Sequence, residues 1–328
     1  MKWKRPLQRL GLVLGMLFLL ALAGEAVLRM LSPKAGMEPL LRTGDPALPV
    51  VLAPSREGWL AGAFVHINAE GLREDREIPL EKAEGVLRIA CVGDSITFGQ
   101  GVEAAQAFPK LLEKALDAPG RRVEVLNFGV PGQNTVIEAE YLRRKVLAWH
   151  PDRVLLTITL NDIEDEPYQD LSRRPWHVRV LSRSLLLQWL APQAGAALRA
   201  AGMGGRTTET GYRDGYRPES SSWARMREAL SAMDADCRRS GARLAVLIHT
   251  DLGPPLDERY PLLDIHARIE GFCRSRGIPA ASSFPEFRGG NPAALKVHPL
   301  DAHPNAEGHR RLMQAWRALF HCHFPQVG

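Results

Sequence analysis

Cysteine is scarce in these 328 residues. The four present, Cys91, Cys237, Cys273 and Cys322, are too few and too scattered to form a disulfide framework. One bridge is possible in an exported chain, but the spacing specifies none. A metal centre is no better supplied, because His321-Cys322-His323 has no partner cluster. An excess of charge is missing from most of the chain. The formal +5 belongs to residues 1–34, which hold six Lys or Arg and a single acid, Glu25, while the remainder carries 36 residues of each sign. Nucleic-acid binding therefore finds no basic surface to rest on. Internal repeats and low-complexity tracts are absent.

Only one apolar run is long. MKWKRPLQR, a basic flank, leads into LGLVLGMLFLLALAG. A cationic segment followed by an apolar one is the pattern of a secretory signal, and Ala21-Leu22-Ala23 offers a small-residue cleavage site. Apolar residues nevertheless continue through Ala26, Val27 and Leu28. The stretch from Leu10 to Leu31 covers about 20 positions, enough to cross a bilayer. Residues 1–34 are thus a signal anchor or a signal peptide. Both readings send the rest of the chain to the periplasmic or extracellular side by the positive-inside rule. An anchor leaves it membrane-attached; cleavage after Ala23 leaves it secreted.

Residues 35–85, rich in Pro and Gly at first, read as a linker and N-terminal extension, with a strand and Gly turn in AFVHINAEGLR. From residue 86 to 328 short apolar runs alternate with amphipathic ones. Strands are expected over 86–92, 122–128, 153–160, 243–250 and 278–283, with helices between them and a closing helix in NAEGHRRLMQAWRALF. Alternation of this kind predicts an α/β domain with a parallel sheet covered on both faces. One stretch breaks the rhythm. Residues 163–220 are too long for a crossover and read as an insertion, a cap or lid over the active face. Its apolar part, 183–201, hints at a lipidic or long-chain acyl group.

Open parallel sheets bind ligands at the carboxyl ends of their strands. There the chain places Gly93-Asp94-Ser95, then Gly129 to Asn134, then Asn161-Asp162, and finally Asp301-Ala302-His303-Pro304-Asn305. A hydroxyl becomes a nucleophile when a base takes its proton. Ser95 and His303 supply that pair, and Asp301 is placed to orient the imidazole. Backbone N–H of Ser95 and Gly132 and the side-chain amide of Asn161 are suitable donors for an oxyanion. His249 ends the fourth strand and reads first as a satisfied histidine at a strand end, with a place in the cleft wall as the alternative. His298 and His309 are rival histidines; His309 falls inside the closing helix, where packing is the simpler role. Asp94 reads as a turn cap.

Taken together, Gly-Asp-Ser, the glycine after the second strand, Asn-Asp after the third and Asp-x-His-Pro-Asn near the end resemble the SGNH/GDSL hydrolase family, over roughly residues 86–320. NAEGLR at 68–73 resembles an upstream feature of some exported members. The resemblance implies a three-layer α/β/α, flavodoxin-like fold and ester hydrolysis or acyl transfer without metal or cofactor. It also implies Ser95 as nucleophile, His303 as base, and Ser95, Gly132 and Asn161 as oxyanion donors. The chain departs from the family pattern twice. The acid stands two residues before the histidine, as in some O-acetyltransferase relatives, and Leu300 occupies the usual place; a Ser–His dyad is the alternative to a triad with Asp301. Thr159 stands where glycine is usual. No Gly-x-Ser-x-Gly elbow occurs, which disfavours the α/β-hydrolase fold.

Three functions follow as expectations. The first is an exported serine esterase acting on acetyl or longer acyl esters. The second is an O-acyltransferase or deacetylase working on an envelope polysaccharide. The third is a catalytically silent binding or scaffold protein on the same fold. The expected partners are a small-molecule, lipid or polysaccharide ester and, through the N-terminal helix, a membrane.

Overall fold

The computed structural model describes residues 4–31, 41–42, 46–118, 122–164, 208–299 and 301–324, with single positions between 176 and 190. The chain divides into two units. The first comprises residues 1–34 and 170–206, the second residues 35–169 and 207–328.

In the first unit, α1 (Lys4–Leu31) is one uninterrupted helix. Its stretch Gly11–Met30 has a mean hydropathy of 2.2 and is not buried by protein, so by length and composition it can cross a membrane. Two charged groups, Glu25 and Arg29, interrupt the apolar surface. The Glu25 carboxylate accepts from Arg29 at 2.8 Å and from both the Ser184 hydroxyl and the Leu186 N–H at 2.9 Å. A carboxylate on an apolar helix is costly unless paired, and here it is paired. The lid reading of 163–220 falls mostly on residues outside those described.

In the second unit a short antiparallel pairing of Leu41–Arg42 with Val51–Leu52 precedes a hairpin, β1 (Arg56–Leu60) and β2 (Ala63–Ile67). The main sheet is built from β3 (Val86–Gly93), β4 (Arg122–Gly129), β5 (Arg153–Ile158), β6 (Arg243–Ile248) and β7 (Ala280–Ser282). All neighbours are parallel and the order is β4-β3-β5-β6-β7, that is second-first-third-fourth-fifth. This is the flavodoxin-like winding, whose switch point lies between the first and third strands of the sheet. Continuous apolar runs such as Ile89–Val92 and Leu244–Ile248 are buried throughout because helices cover both faces. The principal helices are α3 (Phe108–Leu116), α4 (Thr135–Arg144), α6 (Ser221–Arg239), α7 (Leu263–Ser275) and α8 (Ala306–His323), with the short α2 (Ser95–Phe98) after β3 and α5 (Thr208–Gly215) before α6. α3 packs with α8, and α4 with α6. A hairpin of β8 (Lys296–His298) and β9 (Asp301–Pro304) leads into α8. All four cysteines are free thiols, and three are buried.

Within the span read as linker and extension, residues 50–78 contribute to the core of the second unit. Asn68 folds its own turn, accepting from the N–H groups of Glu70 and Leu72. That turn delivers Arg73 and Glu74 into the interior, both essentially unexposed. The Arg73 guanidinium donates to the carbonyls of Phe98, Gly99 and Val102 and lies 4.7 Å over the Phe98 ring. Burial, opposed by Glu103 and Asp75, lowers its pKa to about 10. Glu74 pairs with Lys110 at 2.6 Å and accepts from Asn127 N–H. The segment thus braces the loops that follow β3 and support β4.

Candidate active site

Ser95 opens α2 where β3 ends. The turn has no room for a side chain at Gly93, where a Cβ would lie 2.2 Å from Thr97 Oγ1. Asp94 caps α2, its Oδ1 accepting from Ile96 N–H at 2.8 Å. Asn127 ties the same helix to β4 by donating to the Phe98 carbonyl.

His303 rides on β9, 208 residues further along, and its Nε2 lies 2.8 Å from Ser95 Oγ. Its Nδ1 and its backbone N–H both meet Asp301 Oδ1, the latter at 3.0 Å. With Nδ1 donating to the carboxylate, Nε2 is left as the acceptor facing the serine. Burial works to raise the Asp301 pKa, but hydrogen bonds from the His303 ring and backbone, the His303 charge and a hydrogen bond from Gln100 together bring it below the ordinary value. Gln100 Nε2 stands 3.3 Å from His303 Nδ1. Gln100 carried no signal in the sequence; its contact spans 203 residues of chain.

A cavity of about 360 Å³ opens over this group, lined among others by Ser95, Asn161, Tyr212, His249, Asp251 and His303. Asn161 lies in the short helical turn Leu160–Ile163 after β5. Gly132 sits in the turn between β4 and α4 with φ 83°, a left-handed conformation that suits glycine. It is not among the cavity-lining residues. His249 lines the cavity, its pKa lowered to about 3 by burial with help from His266 and His303, so it is neutral. His309 packs on Phe108 and accepts from its N–H, remote from this chemistry. Tyr212 and Asp251 are cavity residues that the sequence reading did not single out.

Buried acids gather at the cavity wall, which Asp94 and Thr159 help to line. Thr159 Oγ1 stands 2.9 Å from Asp94 Oδ2 and 2.9 Å from Asp162 Oδ1. Asp162 Oδ2 accepts from the Thr135 hydroxyl at 3.0 Å and from Thr159 N–H at 3.3 Å. Glu138 is fully buried beside them, and neither of its carboxyl oxygens has a hydrogen-bond partner among the described residues. Desolvation raises the pKa of Asp94, and that of Asp162 and Glu138 well above the usual carboxylate range. Among the described residues no group of three or more His, Cys, Asp or Glu is arranged to hold a metal.

The family model for GDSL-like lipases/acylhydrolases matches residues 91–311. The chain belongs to that family. An acetylxylan esterase of Xylanibacter ruminicola is 31% identical over 102 residues, which is 29% of this chain. This GDSL chain covers 20% of that relative's length. Two solved structures are similar to the chain over part of its length. TesA is 16% identical with a TM-score of 0.44, covering 71% of this chain and 97% of its own. Axe2, an acetylxylan esterase from Geobacillus stearothermophilus, is 14% identical with a TM-score of 0.44, covering 71% of this chain and 93% of its own.

Proposed function

We propose that this GDSL-family chain is a serine esterase acting on acyl esters outside the cytoplasm. The observation that carries the proposal is the contact of Ser95 Oγ with His303 Nε2 at 2.8 Å, inside a cavity that Asn161 also lines. Ser95 Oγ attacks the ester carbonyl carbon while Nε2 takes its proton. The negative charge passes to the carbonyl oxygen, which receives hydrogen bonds from Ser95 N–H and the Asn161 amide, both at the cavity, with Gly132 N–H carried only by the family pattern as a third donor. Asp301 stabilises the imidazolium through Nδ1. The bond to the alcohol oxygen then breaks, and Nε2 returns the proton to the departing alkoxide. Water repeats the sequence on the acyl-serine and releases the acid. If a sugar hydroxyl replaces water, the same residues transfer the acyl group, which is the O-acyltransferase alternative.

Acetyl esters on a polysaccharide are the substrate class we favour. The acetylxylan esterase relative supports this, and so does a cavity edged by the polar Tyr212, His249 and Asp251. α1 acts as a retained membrane anchor in this reading, supported by its apolar stretch Gly11–Met30.

The test is labelling of the full chain with a fluorophosphonate probe, beside hydrolysis of p-nitrophenyl acetate and longer esters. Ser95→Ala and His303→Ala are expected to abolish labelling and to lower turnover about a thousandfold or more. A wild-type protein that neither labels nor turns over any ester is instead the silent scaffold.

A further inference from the structure

Thr159 stands at a place where hydrogen bonding does not balance unless a proton is added. Its hydroxyl has one hydrogen, yet two carboxyl oxygens lie 2.9 Å from it, one of Asp94 and one of Asp162. The hydroxyl can donate to one of them. Toward the other it can only accept, and an ionised carboxylate has nothing to donate. Two ionised acids would leave a lone pair facing a lone pair in a buried site. One of the two acids therefore carries a proton and passes it into a hydrogen bond with Thr159 Oγ1.

The surroundings decide which. Asp94 Oδ1 accepts from Ile96 N–H, and His303 lies near enough to favour the anionic form of Asp94. Asp162 has no cation among its influences; it feels Asp94 and is helped only by the hydroxyls of Thr135 and Thr159 and one backbone N–H. Its Oδ2 is occupied by those donors, from Thr135 and from Thr159 N–H, so Oδ1 is the oxygen left to hold a proton. The other titratable groups facing this pocket are Glu138, buried and repelled by both acids, and the phenols of Tyr212 and Tyr216, pushed upward by burial first and by Asp162 as well.

We propose that Asp162 is protonated in the resting protein and donates to Thr159, which donates to ionised Asp94, so that one directed hydrogen-bond chain fixes the Ser95 turn against the Asn161 turn. Asp94 caps the helix that Ser95 begins, and Thr159 and Asp162 are the two ends of the capped turn that carries Asn161. Neither acid touches a reacting atom in this scheme. They are positioning residues for the nucleophile and for one oxyanion donor. The inference rests on the esterase reading for its effect on turnover, but the location of the proton does not.

The two isosteric amides give opposite results. In Asp162→Asn the carboxamide nitrogen donates to Thr159 Oγ1 and its oxygen accepts from Thr135 and Thr159 N–H, so every hydrogen bond survives. Turnover is expected to stay within about threefold of wild type. In Asp94→Asn either the amide hydrogens meet the Thr159 hydroxyl hydrogen or the Ile96 N–H loses its acceptor. There kcat is expected to fall about tenfold or more with KM little changed. Thr159→Val, which keeps the shape and loses the hydroxyl, should resemble Asp94→Asn. Infrared difference spectra supply a readout independent of activity. The free-acid carbonyl band at neutral pH should lose the Asp162 component in Asp162→Asn and keep it in Asp94→Asn, with Glu138→Gln separating any contribution of the neighbouring acid. The reverse pattern, loss of the band and tolerance in Asp94→Asn, places the proton on Asp94 and overturns the proposal. Full turnover in Thr159→Val overturns the positioning role. If the wild type itself shows no esterase activity, the earlier reading fails while the infrared test still stands.

Discussion

At the scale of single residues, the buried acids make a prediction about stability. Burial raises the folded-state pKa of Asp162 and of Glu138 above their unfolded values. A group of this kind is protonated in the folded chain at pH values where the unfolded chain has already released the proton. Its contribution to stability is complete below the unfolded value, about pH 4, and drains away as pH rises toward the folded one. Thermal unfolding should therefore show the wild-type midpoint falling as the pH rises above about 4, with a shallower fall in Asp162→Asn. Parallel slopes for the two proteins would contradict the assignment. Asp301 has the opposite sign. Its pKa is lowered in the folded state, so what it adds is present above the ordinary carboxylate value and disappears on acidification.

At the scale of elements, the segment carrying Arg73 holds the loop after α2 by three carbonyl contacts. Replacing Arg73 with methionine keeps much of the bulk but removes all three donors; the Phe98 carbonyl keeps Asn127 and the Gly99 carbonyl keeps Val102 N–H, while the Val102 carbonyl loses its guanidinium partner. A loss of about 3 kcal/mol or more in a urea titration is expected, and Arg73→Lys should recover little because one ammonium cannot reproduce the fork. The strand–helix rhythm from residue 86 onward was readable because each strand is buried on both faces and each helix keeps an amphipathic period. The ends were less so. β5 reads as continuing to residue 160, but Thr159 and Asp162 cap each other and turn the chain into a short helix instead. The β8–β9 hairpin was invisible: its strands are three and four residues long, and prolines lie within it. Motif order brought out Ser95 and Asn161, each just past a strand of the main sheet, and Asp301 and His303, which the structure places on β9 of the separate hairpin rather than at the end of β7. Tyr212 enters the cavity, and Gln100 reaches His303, only through long-range folding that no local pattern encodes, whereas Asp251 stands just past the end of β6. Thr159, at the place where glycine is usual, lines the cavity, and its hydroxyl also bridges Asp94 and Asp162.

At the scale of the whole molecule, α1 separates two fates for the chain. With its apolar stretch Gly11–Met30 retained, the full-length protein should stay in the membrane pellet after alkaline carbonate washing. Release into the wash, with an N-terminus beginning at Gly24, would instead identify a secreted enzyme. The separation of Ser95 from His303 has a further consequence for biogenesis. The two residues lie 208 positions apart, and the histidine arrives on the last hairpin, just ahead of the terminal helix. That helix is anchored inward by Trp316, whose indole N–H donates to Thr157 on β5. Under the proposed function, a chain emerging N-terminus first carries its nucleophile long before its base, and contacts of such long range form late. Newly made or truncated molecules are then expected to be inert, with esterase activity appearing only once the final helix has docked.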